Sequence, residues 1–146
     1  MTKPRPTLTE KTAAIAWARA WNTRNLELLR PLMHHRVQIT DQRNWDSKVG
    51  ADRYLQRMQD YFDHVPAETS ATTMELAETP THSFTVAPPR PCVIEYRRGQ
   101  PVATFLFRVH GGLIRLVEKR LLPPPTECIL TGSYPGLEDH PAMEVN

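Results

Sequence analysis

The chain has 146 residues, of which 40% are hydrophobic and 23% charged, and a formal net charge of +2. That length suits one domain that buries about two-thirds of its unfolded surface without a metal or disulfide staple, and the composition excludes a disordered chain. Charge is uneven: no Lys or Arg follows residue 120, where Glu127, Glu138, Asp139 and Glu144 make an acidic tail on a mildly basic body. No stripe of Lys and Arg marks a nucleic-acid surface, and no run approaches the ~18 apolar residues of a membrane span.

The start, Met-Thr-Lys-Pro-Arg-Pro, is not an apolar leader, so a cytoplasmic protein is expected. Cys92 and Cys128 stand far apart with no Cys-x-x-Cys pairing, which reads as two free thiols in a reducing compartment.

In chain order, Thr7-x-x-Glu10 has the form of a capping box. Ala14, Trp17, Ala18 and Trp21 then fall on one face of a helix over 7–22. Asn25 is expected to cap a second helix carrying Leu26, Leu29 and Met33, short or broken because Pro31 has no amide donor. His34-His35 would sit at its end. Residues 36–41 alternate as a strand, so Val37, Ile39 and Asp41 share one face.

Trp45 lies in the following loop, and a third helix over 50–65 turns Leu55, Met58, Phe62 and Val65 inward. Strands are expected at 68–78, at Phe84–Val86, at Val93–Arg97, at Val102–Val109 and at Leu113–Leu122. Arg98-Gly99-Gln100 and Gly111-Gly112 read as hairpin turns. Pro123-Pro124-Pro125 ends the last strand, leaving 1–125 as the single domain and 126–146 as an extended acidic tail. Helices followed by a run of strands predict an α+β layer fold.

The run Ala20-Trp-Asn-Thr-Arg-Asn-Leu-Glu-Leu-Leu-Arg-Pro-Leu-Met33, the Val37–Asp41 strand and Gly50 opening a helix resemble the nuclear transport factor 2-like superfamily. SnoaL-like cyclases and ketosteroid isomerases belong to it. The ending Val109-His-Gly-Gly-Leu-Ile-Arg-Leu-Val117, with prolines beyond the strand, is similar to its last hairpin. The resemblance implies N-terminal helices packed on a highly curved antiparallel sheet, a conical pocket between them, and dimerisation through the outer sheet face.

Counted from Asn22, Asp41 falls where ketosteroid isomerases carry a general-base aspartate. Burial beside Trp17 or Tyr54 would raise its pKa toward the range for taking a proton beside a carbonyl. Its plainer uses are to cap the loop or to pair with Arg43. The rest of the isomerase pattern is missing: Trp17 stands at the tyrosine position, and Phe105 or Leu106 at that of the strand acid. Lys119 stands where the SnoaL-type aspartate would be.

If Gly111-Gly112 is a two-residue turn, Arg108 faces Arg115, Phe105 faces Glu118 and Phe107 faces Leu116. A slip of one residue would exchange the faces, so Glu118 and Lys119 are both pocket candidates. Trp17, Trp21, Tyr54, Met58 and Phe105 are read either as core or as a lining that stacks a flat ligand. Arg97-Arg98 reads as a solvated hairpin tip. His34-His35 points in two directions without a third ligand, so no metal is expected, and no cofactor motif is present.

Two functions compete. One is a pocket domain that binds an apolar or carbonyl-bearing molecule as a homodimer, through one face of the Val102–Leu122 hairpin. The other is a SnoaL-like enzyme doing proton-transfer chemistry with Asp41 as base. The absent oxyanion donors favour the first.

Overall fold

A computed structural model describes residues 7–42, 46–66, 69, 71–80 and 89–133. The expected strand at Phe84–Val86, the loop residues Arg43 and Trp45, and the tail beyond 133 lie outside them.

Helix α1 (Glu10–Asn22) begins two residues later than the Thr7-x-x-Glu10 pattern suggests. Thr9 is its cap: the Thr12 amide donates to Thr9 Oγ1 at 3.2 Å and the Thr9 amide to Thr12 Oγ1 at 2.8 Å. Glu10 thereby moves to the first helical position, where the helix dipole favours an anion, and reaches Arg90 at 3.6 Å and Arg108 at 3.8 Å. Ala13, Ala14, Ala16, Ala18 and Ala20 are all buried, so the helix packs tightly. Its last residue, Asn22, pins it to the sheet: Nδ2 donates to the Met74 carbonyl at 2.9 Å and Oδ1 accepts from the Met74 amide at 2.8 Å.

The second helix is reduced to two single 3₁₀ turns, Leu26–Leu28 and Arg30–Leu32, with Pro31 in the second. Strand β1 (Met33–Asp41) starts at once. His34 and His35 are therefore in a strand, not at a helix end. After β2 (Asp46–Val49), which the sequence reading missed, helix α2 (Ala51–His64) follows. Arg24 donates to the Phe62 and Val65 carbonyls at 2.6 and 2.7 Å, a cation at the negative end of α2.

The sheet is completed by β3 (Thr72–Glu78), β4 (Pro91–Arg97), β5 (Gln100–His110), β6 (Leu113–Arg120) and β7 (Ile129–Ser133). Its order is β2-β1-β6-β5-β4-β3-β7. The fold is α+β, helices on a curled sheet, as expected. Two corrections concern the sheet. It is not wholly antiparallel, because β1 runs parallel to β6. The segment after the prolines is not an unstructured tail as far as residue 133: it makes a 3₁₀ turn and then β7, which pairs with β3.

Both hairpins turn on two residues with positive φ, Arg98 and Gly99 in one and Gly111 and Gly112 in the other. The second hairpin contains a bulge. His110 faces Leu113 and Val109 faces Ile114, but Arg108 then faces Leu116, so the register slips past Arg115. Phe105 consequently opposes Lys119, Phe107 opposes Val117, and Leu106 opposes Glu118. One extra residue has exchanged the faces of β6.

The concave face, under the helices, holds the main core around Trp17, Phe105, Phe107, Val93 and Val117. The outer face has its own small cluster of Ala77, Cys92, Ile94 and Leu106, with Cys128 and Tyr96 packed against it. Thr104 Oγ1 donates to the Pro123 carbonyl at 3.2 Å, tying the segment between β6 and β7 to this side. Leu106 is only 1% exposed, so the middle of the outer face is closed within one chain.

Candidate functional site: a polarised cavity between helices and sheet

A cavity of about 280 Å³ opens between the helices and the concave sheet. Trp21 of α1 and Tyr54, Met58 and Tyr61 of α2 form one wall. The other is made by Ile39, Thr40 and Asp41 of β1, Lys48 of β2, Lys119 of β6, Phe105 of β5, Glu95 and Arg97 of β4, and Thr72 of β3.

Strand phase explains this lining. On β1 the buried row Val37, Ile39 continues to the half-buried Asp41, as the alternation predicted. On β4 the inward row is Val93, Glu95, Arg97. Glu95 is 3% exposed, a carboxylate on the core side of the sheet. Such a charge survives burial only when paired. Lys119 Nζ lies 3.3 Å from Glu95 Oε1, and Arg97 Nη2 donates to Oε2 at 3.0 Å. Lys119 starts on β6, passes 5.7 Å above the Phe105 ring on β5 and ends at β4.

Tyr54 adds a polar group to the helix wall. Burial, helped by the charges of Glu95 and Asp41, pushes its hydroxyl well above its ordinary pKa, so it stays a protonated donor. Trp21 adds another feature: its indole N–H is buried with no acceptor among the described residues.

Of the residues singled out in the sequence, Asp41, Trp21, Tyr54, Met58, Phe105 and Lys119 meet around this cavity. Two do not. Trp17 is fully buried behind it, stacked at 6.0 Å on Tyr54 and 5.3 Å from Phe105, where it supports the wall. Glu118 faces the other side of the sheet, held by Arg120, because the bulge turned Lys119 inward instead. Glu95, Arg97 and Lys48 were not foreseen as site residues. Arg97 and Arg98 are exposed at the hairpin end, as expected, and Arg97 is in addition the outer partner of Glu95. The signal for Glu95 lay in its phase: it alternates with Val93 in a strand whose other residues are mostly apolar.

Among the described residues no group of His, Cys, Asp and Glu could hold a metal ion. No helix there is long and apolar enough to cross a membrane. Cys92 and Cys128 are free thiols.

No family model matches the chain, and no curated protein matches it. Solved structures do. An NTF2-like protein of unknown function from Cytophaga hutchinsonii is 14% identical, with a TM-score of 0.52 over 82% of this chain and 97% of that one. A candidate ketosteroid isomerase from Kribbella flavida is 17% identical, with a TM-score of 0.53 over 75% of each chain. A candidate polyketide cyclase from Sinorhizobium meliloti is also 17% identical, with a TM-score of 0.51 over 75% of this chain and 94% of that one. With its helices against a curled sheet and a cavity between them, the chain has the nuclear transport factor 2-like fold.

Proposed function

We propose that this protein binds a small, largely apolar molecule carrying a carbonyl or similar acceptor in the cavity between α1, α2 and the sheet. The observation that carries the reading is the lining itself. Four aromatic side chains, Ile39 and Met58 line it together with two threonines and five charged groups, so apolar surface stands beside convergent polar groups as in a ligand site. At about 280 Å³ it suits a small ligand, near the lower end of such pockets. Binding of 2-naphthamide, followed by NMR and blocked by Met58→Trp, tests the reading.

The proposal includes a homodimer. Leu121, Leu122, Ile129 and Leu130 are large, apolar and exposed at the ends of the segment joining β6 to β7. Exposed apolar patches mark contact surfaces. Because Leu106 is buried within one chain, this segment supports a contact better than the centre of the outer face does.

A second reading makes the cavity an active site, with Asp41 as the general base beside a substrate carbonyl. Two observations favour it. Asp41 is in the cavity wall, and Tyr54 supplies a protonated donor there, whereas Phe105 has none and the Trp17 N–H is buried behind the wall. Proton removal would place negative charge on the carbonyl oxygen, which such donors stabilise. The fold alone decides nothing here, since one fold hosts many chemistries.

A further inference from the structure

We propose that the ligand of this cavity is a carboxylate, seated with its anionic end at Arg97 and Lys119 on the β4 side. The inference rests on the binding reading above and deepens it, by stating what class of molecule enters and which way round.

The charges of the cavity are not evenly spread. The described charged groups in its lining are Asp41, Lys48, Glu95, Arg97 and Lys119. At the β4 side two cations converge on one carboxylate, which leaves a surplus of one positive charge there. Asp41 belongs to the opposite side. β1 and β4 are separated by β6 and β5, three strand spacings of ~4.8 Å or roughly 14 Å along the sheet. Lys119 leans away from Asp41, its cross-strand neighbour on β1, and delivers its ammonium over Phe105 to Glu95.

Glu95 is a fixed counter-ion rather than the site's own anion to offer. Its side chain is 4% exposed, whereas those of Lys119 and Arg97 are 17% and 48% exposed. The carboxylate is sealed beneath while its two partners stand toward the cavity. Arg97 has a fork of five N–H donors, of which Nη2 is on Glu95, and a Lys ammonium has three. A ligand carboxylate bridging these two cations would complete an alternating row of charges over a buried anchor. Its body would then lie against Phe105, Met58 and Trp21, and its far end would reach toward Asp41. Asp41 shares that end with Lys48 of the adjacent β2, so it offers no surplus positive charge, and the β4 end with its surplus is the one that attracts the anion.

The test compares 2-naphthoate with 2-naphthamide, the same shape without the charge, by NMR titration of the full chain at pH 7. The expected result is at least tenfold tighter binding of the carboxylate. Lys119→Met and Arg97→Gln should each cut that preference at least fivefold. Arg97 is half exposed, so its variant keeps the test informative if Lys119→Met does not fold. Equal binding of acid and amide to the wild type, or a preference that survives in Arg97→Gln, overturns the carboxylate inference and leaves the cavity reading standing. Binding of neither probe overturns both.

Discussion

Lys119 and Glu95 meet at 3.3 Å although a whole strand separates them. The contact reaches across β5 and accounts for the burial of Glu95. Removing one partner of a buried pair is expensive because the other is left uncompensated. Lys119→Met should therefore destabilise the fold by about 2 kcal/mol, moderated by the remaining Arg97. Adding Glu95→Gln to it should return part of that loss. Urea unfolding of the two singles and the double gives the coupling. Additive effects would mean the pair does not hold the site.

Asn22 should matter to the fold more than its position at a helix end suggests. It makes two hydrogen bonds with the backbone of Met74, which is 1% exposed. Asn22→Ala leaves a buried amide and carbonyl without that partner, at a cost of about 1–3 kcal/mol. A shift of the urea midpoint at constant slope is the expected readout.

The thiols should be slow. Burial pushes the Cys92 thiol far above its ordinary value of 9.0, and burial raises Cys128 as well. Thiolate is the reactive form. At pH 8 a disulfide reagent should leave Cys92 unmodified until the protein unfolds, and label the more exposed Cys128 slowly. Because both groups bind their protons more tightly folded than unfolded, stability is full below about pH 9 and falls as pH rises beyond it. Tyr54 adds to the loss above its ordinary value of 10.0. Tyr54→Phe should flatten that part of the alkaline melting curve.

Asp41→Asn distinguishes the two functional readings. As a ligand-facing or catalytic carboxylate, Asp41 should be replaceable with little change in melting temperature. If the cavity is an active site, deuterium wash-in beside the carbonyl of 2-tetralone should exceed the buffer rate in the wild type and fall to it in the variant. A large loss of melting temperature would make Asp41 a structural cap instead.

Much of this was legible in the sequence. The alternation of Val37, Ile39 and Asp41 placed the carboxylate correctly, since strand phase is set by pleat alone. Gly111-Gly112 located the last hairpin, since both turn residues need positive φ. What followed the turn was not legible. A bulge beside Arg115 leaves no compositional mark, yet it decided between Glu118 and Lys119 for the cavity. Glu95 and Arg97 escaped for another reason: their roles depend on a lysine two strands away. β7 escaped because five residues after a triple proline resemble a tail until β3 offers an edge to pair with.

For the assembly, light scattering should give twice the 16.7 kDa of one chain. Leu122→Glu with Ile129→Glu, at side chains about 60% exposed, should halve it without unfolding the chain. A wild-type mass of one chain at micromolar concentration would contradict the dimer.

The most direct test of the central claim is an NMR titration with 2-naphthamide of the wild type and Met58→Trp, the indole being placed to fill the cavity. Saturable binding that shifts the Trp21 indole N–H is expected in the wild type, and loss of binding at unchanged melting temperature in the variant. No binding to the wild type, or equal binding to both proteins, would contradict it.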